Sequence, residues 1–370
     1  MRNRLTLIPA LLVSLVLVAC AGTAATPVPP TATPAATPAP ATATPAPTPV
    51  PATATPAPVV TPAPATATPA PVITPAPATA SPVAAVSEEC MAPNLTGLKN
   101  AGRLTLSTDN PAYPPWWGGD PDTQYPNEPD GGDGWEVSDP YSGEGYEGAT
   151  AYAVAAALGF TPEMVDWVPN AVFENAFQPG PKAFDFHMAQ ISINPDRAKN
   201  VDFSDPYFEV TQSIISMTKT QDGDPNPILT ATTIEALKKF KLGAAVGTTS
   251  LGLIENVIKP DQDPSVFNDN SAAVAALKSG AVDGVVVDLY SAFYMRDAQL
   301  EDYNTPDPEA TVVGQFGPST QNDQMGFVLE KGSALTACVD EALALIKANG
   351  TLQQINDKWI GGGQAIPTFE

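Results

Sequence analysis

From residue 104 onward the apolar positions follow two alternating periods. "LTLST" (104–108) alternates apolar and polar as a strand does, and Val165 to Val168 is short and extended. Between them "GATAYAVAAALGF" (148–160) is an alanine-rich helical stretch stopped by Gly159. "AFDF" (183–186) reads as a strand, "QISI" (190–193) as a strand edge and "SIISM" (213–217) as a strong strand. A second series follows, in which "TIEALKKF" is helical, "KLGAAVG" a strand, and "TSLGLIENVI" and "SAAVAALKSG" helices. "VDGVVVD" is then a buried strand, "LYSAFYMRDAQL" a helix and "QMGFVLE" (324–330) a strand. "SALTACVDEALALIKANG" places apolar residues at Leu335, Cys338, Val339, Ala342 and Ile346 and closes at Asn349-Gly350. Thr351 and Gln354 form a capping box for a last helix, "TLQQINDKWI". Strands alternating with helices predict an α/β protein with largely parallel sheets.

The first 87 residues have no such pattern. "MRNRLTLIPALLVSLVLVAC" (1–20) has two arginines, a short apolar run, a small residue and a cysteine, which is a secretory signal. Its ending, "LVAC", resembles the lipobox of bacterial lipoproteins, which implies lipidation of Cys20; the alternative is a plain secreted chain cut near Ala21. Residues 21–86 carry no charge and consist almost wholly of Ala, Thr, Pro and Val. That composition offers no large apolar side chains for a core, and proline removes backbone donors. An extended, polyproline-like tether over 21–87 is expected, reaching at most about 200 Å at roughly 3.1 Å per residue.

The folded part therefore begins near Glu88, and its length suits two lobes better than one. All 40 acidic residues and 15 of the 17 basic ones lie in it. Such a surface repels phosphate backbones, so nucleic acid is excluded as a partner. In an oxidising compartment Cys90 and Cys338 are expected to be bridged, the alternative being two separate buried thiols.

Ligands in open α/β sheets sit beyond the carboxyl ends of strands. After "LTLST" come Asp109, Asn110, Tyr113 and Trp116; after "QISI" comes Arg197; after "KLGAAVG" come Thr248 and Thr249; after "VDGVVV" comes Asp288. A cation, an anion, hydroxyls and aromatic rings converge on one side of the topology.

Several strings here resemble the solute-binding proteins of ABC-type amino-acid importers (bacterial family 3). They are "ISINPDRAKNVDFSDPY" (191–207), "GTTS" (247–250), "ALKSGAVDGVVVD" (276–288) and "KANGTLQQINDKWI" (347–360), in the family's order over about 103–360. The resemblance implies a two-lobe, periplasmic-binding-protein-like (type II) α/β fold with two hinge crossovers. Lobe 1 would comprise 88–214 plus 318–370 and lobe 2 215–317, with crossovers near Ser213–Met217 and Val313–Ser319. It further implies an exported monomer, tethered to the membrane through Cys20, that binds an amino acid without a cofactor or metal and delivers it to ABC permease subunits.

Residue by residue, the resemblance gives the ligand α-carboxylate to Arg197, whose guanidinium offers a rigid, permanently charged fork; the alternative is an ion pair with Asp196 or Asp202. Thr249, at a helix start, would add donors to the same carboxylate or serve as an N-cap. Asp288 would take the α-ammonium or cap "LYSAFY". Tyr113 would pack over the ligand side chain, opposed by Phe173 unless that ring is core. Ser192 and Gln190 would hydrogen bond on the Arg197 side. Asn110 aligns with an aspartate that contacts cationic ligands in some members, unless Asp109 fills that place. The stretch "WWGGDPDTQYPNEPDGGDGWEVSDPY" (116–141) is an insertion near the cleft mouth, where Trp117 and Trp135 either lid the site or pin the loop. Its acidic residues have no EF-hand spacing. His187, the only histidine, sits at a strand end and reads as structural, so catalysis has no obvious acid or base.

Overall fold

The computed structural model describes residues 85–129, 134–301, 309–318, 320, 323–361 and 365–370. Cys20, the signal and nearly all of the tether, residues 130–133 of the insertion and Ser319 lie outside the described residues.

The first lobe opens with β1 (Leu104–Asp109), followed by α1 (Tyr146–Ala157), β2 (Val165–Asn170), β3 (Phe186–His187) and β4 (Val201–Phe203). Short β5 (Phe208–Val210) leads out of it. The second lobe runs through β6 (Gln212–Met217), α2 (Ile234–Leu237), β7 (Leu242–Ala245), α3 (Thr249–Leu253), β8 (Ser265–Phe267), α4 (Asn270–Lys278), β9 (Gly284–Asp288), α5 (Leu289–Tyr294) and β10 (Ala310–Phe316). The chain returns through β11 (Asp323–Met325) to β12 (Val328–Glu330), α6 (Leu335–Ala348) and α7 (Thr351–Trp359), and ends in β13 (Thr368–Phe369).

Two sheets result, ordered β2-β1-β3-β12-β4 and β13-β10-β6-β9-β7-β8. Both are mixed. β1 runs parallel to β2 and β3, whereas β12 is antiparallel to β3 and β4. In the second sheet β7 is parallel to β8 and β9, while β6 is antiparallel to both β9 and β10. The expectation of largely parallel sheets missed these returns because apolar runs carry no direction. On α1, buried Thr150, Ala151, Val154 and Ala155 recur at helical spacing and face α6, whose own buried stripe includes Val339, Ala342, Leu343 and Ile346.

The lobes are joined by β5 and β11, which pair antiparallel as a separate two-stranded ribbon. The expected crossovers near Ser213–Met217 and Val313–Ser319 fall instead within β6 and in and just after β10. Gln212 to Ile214 and Thr368–Phe369 also belong to the second sheet, although the resemblance put them in lobe 1. "QMGFVLE" is not one strand either. Its first residues lie in the ribbon and its last in the first sheet, with Gly326 at the switch. A Cβ there would stand 2.8 Å from Ile193 Cδ1 and 3.1 Å from the Ser204 carbonyl oxygen. "QISI" contributes only a bridge between Ser192 and Met325. The start of α7 is capped differently from the sequence reading. Gly350, at φ +81°, is the N-cap, and Asn349 Oδ1 accepts from Thr351 N at 2.9 Å.

Cys90 and Cys338 are joined in a disulfide with 5.1 Å between their Cα atoms, fastening the start of the lobe to α6. In the insertion Trp117 and Trp135 are buried in the first-lobe core. Trp117 packs edge-on against Trp167 of β2 at 5.3 Å, and the Tyr141 hydroxyl accepts from Trp167 N at 3.0 Å. These rings pin the loop to its lobe, and Trp117 also lines the cavity between the lobes.

Candidate binding site

A cavity of about 700 Å³ lies between the lobes, a size that accommodates small metabolites. Its walls are the segments that follow β1, β2, β3, β7, β8 and β9. Arg197, Asp288, Thr249, Thr248, Tyr113, Ser192, Gln190, Asn110, Asp109 and Phe173 all line it. Trp116 does not. It is 1% exposed, packs edge-on against Tyr146, Phe208 and Tyr290, and directs Nε1 toward Ser291 Oγ at 3.3 Å. An aromatic ring after a strand could face either way, and here the core claimed it.

Arg197 is 6% exposed. Of the three described arginines, Arg103 is paired with Asp166 and Arg296 with Asp297, each at 2.5 Å. Arg197 has no carboxylate at ion-pair distance among the described residues. Asp196 pairs with Lys199 at 2.5 Å and Asp202 with Lys331 at 2.9 Å, which removes the alternative partners. Nη1 donates to the Ser192 carbonyl and Nη2 to the Gly247 carbonyl, both at 2.7 Å. Phe177 and Phe173 flank the guanidinium at 4.4 and 5.4 Å, a contact that attracts the cation to the ring face. Burial draws Arg197 down to about 10, against the pull of Asp323, Asp288 and Glu174, so it stays charged at neutral pH. Two carbonyls use two of its five N–H groups, leaving three for an anion.

Asp288 closes β9 and caps no helix through its side chain. It accepts from Gln212 Nε2, which also donates to Asp323 Oδ2 at 2.8 Å. Burial pushes Asp288 up to about 7, Asp323 adds to this, and Gln212 and Arg197 oppose it. The α3 cap is Thr248, whose Oγ1 accepts from Leu251 N at 3.2 Å and donates to the Ala245 carbonyl at 2.8 Å. Thr249 is thereby free of capping. It donates to Asp323 Oδ2 at 2.7 Å and lies 3.4 Å from Ser192 Oγ.

Around the remainder of the cavity the groups are acidic or polar. Asn110 spends its amide on the insertion, donating to the Gly134 carbonyl at 3.0 Å and accepting from Glu136 N at 2.9 Å. Asp109 instead accepts from Asn170 Nδ2 at 2.7 Å, and burial pushes it up to about 7. Glu174 and Asp269 also line the cavity. Among the described lining residues four carboxyl groups thus face a single guanidinium. Tyr113 crosses to the second lobe, with its hydroxyl 2.8 Å from Ser271 Oγ and its ring 5.8 Å from Tyr294. Gln190 adopts φ +53° and gives both its backbone N–H and its Nε2 to Glu147, a fully buried carboxyl that also accepts from the Tyr207 hydroxyl.

Glu147, Glu174, Gln212 and Asp323 escaped the sequence reading. Gln212 and Asp323 stand at strand starts, where a polar residue gives no signal of its own. Glu147 opens α1, where an acid reads as an ordinary first-turn residue.

A charged cleft between two hinged α/β lobes, with opposite charges on facing walls, defines a small-molecule binding protein. Residues 135–362 match the family of bacterial extracellular solute-binding proteins, family 3, and the chain belongs to it. It is 28% identical over 185 residues to the ABC transporter arginine-binding protein 1 of Escherichia coli strain K12, covering 48% of this chain and 67% of that one. It is equally 28% identical over 181 residues to the L-cystine-binding protein TcyJ of the same strain, covering 49% of this chain and 61% of that one. The match thus spans about two thirds of these relatives. An ancestral arginine-binding protein solved with arginine is 28% identical, with a TM-score of 0.51 over 70% of this chain and 98% of that one. Among the described residues no helix is long and apolar enough to cross a membrane.

Proposed function

We propose that this protein captures a polar amino acid outside the cytoplasm and delivers it to an ABC importer by closure of the two lobes. The observation that carries this reading is the buried, flanked and carboxylate-free Arg197 on one wall, with Asp288 on the facing wall. An α-carboxylate completes the hydrogen bonding of the first, and an α-ammonium neutralises the second. A zwitterion that touches both favours the closed form, because only there does it gain both contacts.

The surplus of carboxyl groups supports a narrower ligand class. Asp109 and Glu174 line the same cavity beside Asp288 and Asp269, so a side chain bearing a positive charge or several N–H donors fits best. Asp109, not Asn110, takes the role of the cation-contacting aspartate. Cys20 carries a lipid anchor and residues 21–87 hold the binding domain away from the membrane as a monomer.

Catalysis on this fold is disfavoured by the burial of the only histidine behind Asp109. A thermal-shift screen of the twenty amino acids tests the proposal. Stabilisation by a dibasic or amide-bearing amino acid, read through ligand linkage, supports it. Stabilisation by none, or turnover of a stabilising compound, rejects it.

A further inference from the structure

His187 is the only histidine in the chain and is fully buried. It lies on β3, in register with Ser107 of the parallel neighbour β1. Ser107 and Asp109 are two residues apart on β1 and so share a face of the sheet. The imidazole touches both. Nδ1 is 2.9 Å from Ser107 Oγ, and Nε2 is 3.6 Å from Asp109 Oδ1. That second separation is too long for a hydrogen bond, and Nε2 has no other partner among the described residues. Buried polar atoms are seldom left this way, and the exceptions call for an explanation.

The chemistry of the ring narrows the possibilities. Burial, with Lys182 adding to it, holds His187 far below its ordinary range, to about 3, so it is neutral at any physiological pH. A neutral imidazole has one donor and one acceptor. If Ser107 donates to Nδ1, the ring proton sits on Nε2 and points at Asp109. The other groups at Asp109 are Asn170, which donates to the same oxygen, and Glu174, whose charge opposes its ionisation.

We propose that His187 is a positioning residue of the ligand site: as its Nε2–H tautomer, fixed by Ser107, it backs Asp109 and closes on that carboxylate when a positively charged ligand side chain ionises it. The inference rests on the reading that Asp109 meets the ligand side chain. In the ligand-free protein Asp109 holds its proton below about pH 7 and the N–H waits; with a cationic ligand in place, Asn170 and His187 both donate to the carboxylate from behind. The imidazole thereby favours ligands whose side chains carry charge over those that do not.

Because the chain has one histidine, its ring nitrogens can be read alone in the full protein, purified without a histidine tag. Long-range proton–nitrogen spectra should show a protonated Nε2 and a bare Nδ1, with no titration between pH 5 and 9. Added L-arginine should shift Nε2 more than added L-glutamine does. A protonated Nδ1, a midpoint near the ordinary imidazole value, or a ring unmoved by an L-arginine that demonstrably binds would overturn the proposal. His187→Gln keeps an N–H near the Nε2 position and should hold L-arginine affinity within about threefold, whereas His187→Leu should lose about tenfold, with L-glutamine affinity changed less. Equal L-arginine affinity in the two variants also rejects it. Should the unaltered protein bind neither amino acid, the positioning role falls together with the ligand reading. That case is recognised by the silence of the unaltered chain rather than of the variants.

Discussion

Arg197 in the first lobe donates to the Gly247 carbonyl in the second at 2.7 Å, so the guanidinium is itself part of the lobe contact. Gly247 stands at φ +73°, and a Cβ there would lie 2.6 Å from Glu174 Cγ, so only glycine brings that carbonyl so close. Ligand capture and closure are thus tied to one side chain. Arg197→Ala should weaken amino-acid binding by roughly 2–5 kcal/mol, the range for losing one partner of a buried charge pair. Arg197→Lys should recover little of this, because an ammonium cannot serve two carbonyls and a carboxylate from the same plane. Titration calorimetry on both variants decides it, and undiminished affinity in Arg197→Ala removes Arg197 from the site.

Asp288 should set stability against binding. Its folded-state carboxyl keeps a proton up to about 7, whereas an unfolded aspartate releases it near 4. The stabilising contribution of that raised value is complete below about 4 and is lost as pH rises through about 7. Asp288→Asn removes the penalty and leaves an amide for Gln212. The ligand-free variant should match the unaltered protein near pH 4 and exceed it by about 1 kcal/mol at pH 8, a size limited by solvent screening of this half-buried group. It should also bind amino acids poorly. Thermal melts across pH that stay parallel for the two proteins would rule out this account.

How far the sequence spoke depended on whether a feature was local. Strand–helix alternation placed β1, α1, β7, β9 and α6, because each is a local signal: the three strands are short runs buried nearly throughout and the two helices bury a stripe at helical spacing. Arg197 and Asp288 were legible from their positions after strands and from the strings around them. Partnerships across the chain were not. Gln212 and Asp323 are separated by 111 residues and meet only because β5 and β11 pair. The ribbon itself is two three-residue strands, too short to show a period, which is why the crossovers were expected in the longer, more apolar β6 and β10. Trp116 was misread for the same reason, since the core and the cavity compete for its ring, and the α3 cap fell to Thr248 rather than to Thr249.

The disulfide offers a test of the first lobe by itself. It closes a loop of 248 residues between the start of the domain and α6, and Cys90 packs in the same core as α1 and α6. Replacing both cysteines by serine should cost about 2–4 kcal/mol, mainly by freeing the unfolded chain. The site lies at the far, carboxyl ends of the strands, so affinity should change less than threefold, or under about 0.7 kcal/mol. Denaturant melts and calorimetry on the same sample separate the two; a large loss of affinity with stability intact would mean that the staple holds the cavity rather than the lobe.

Affinity should also depend on pH with a definite sign. Burial leaves Asp109 and Asp288 each holding a proton up to about 7 in the ligand-free protein. A ligand ammonium prefers a carboxylate, so binding below pH 7 must expel a proton, and each proton expelled makes affinity fall about tenfold per pH unit. A ligand that engages Asp288 alone should bind about fiftyfold more weakly at pH 5 than at pH 7. One that places a second positive charge at Asp109 should fall more steeply, toward two decades per unit, and should release up to two protons. Calorimetry in buffers of different ionisation enthalpy counts those protons directly. An amino acid that binds equally at pH 5 and 7, with heats indifferent to the buffer, would place neither carboxyl group against a ligand cation.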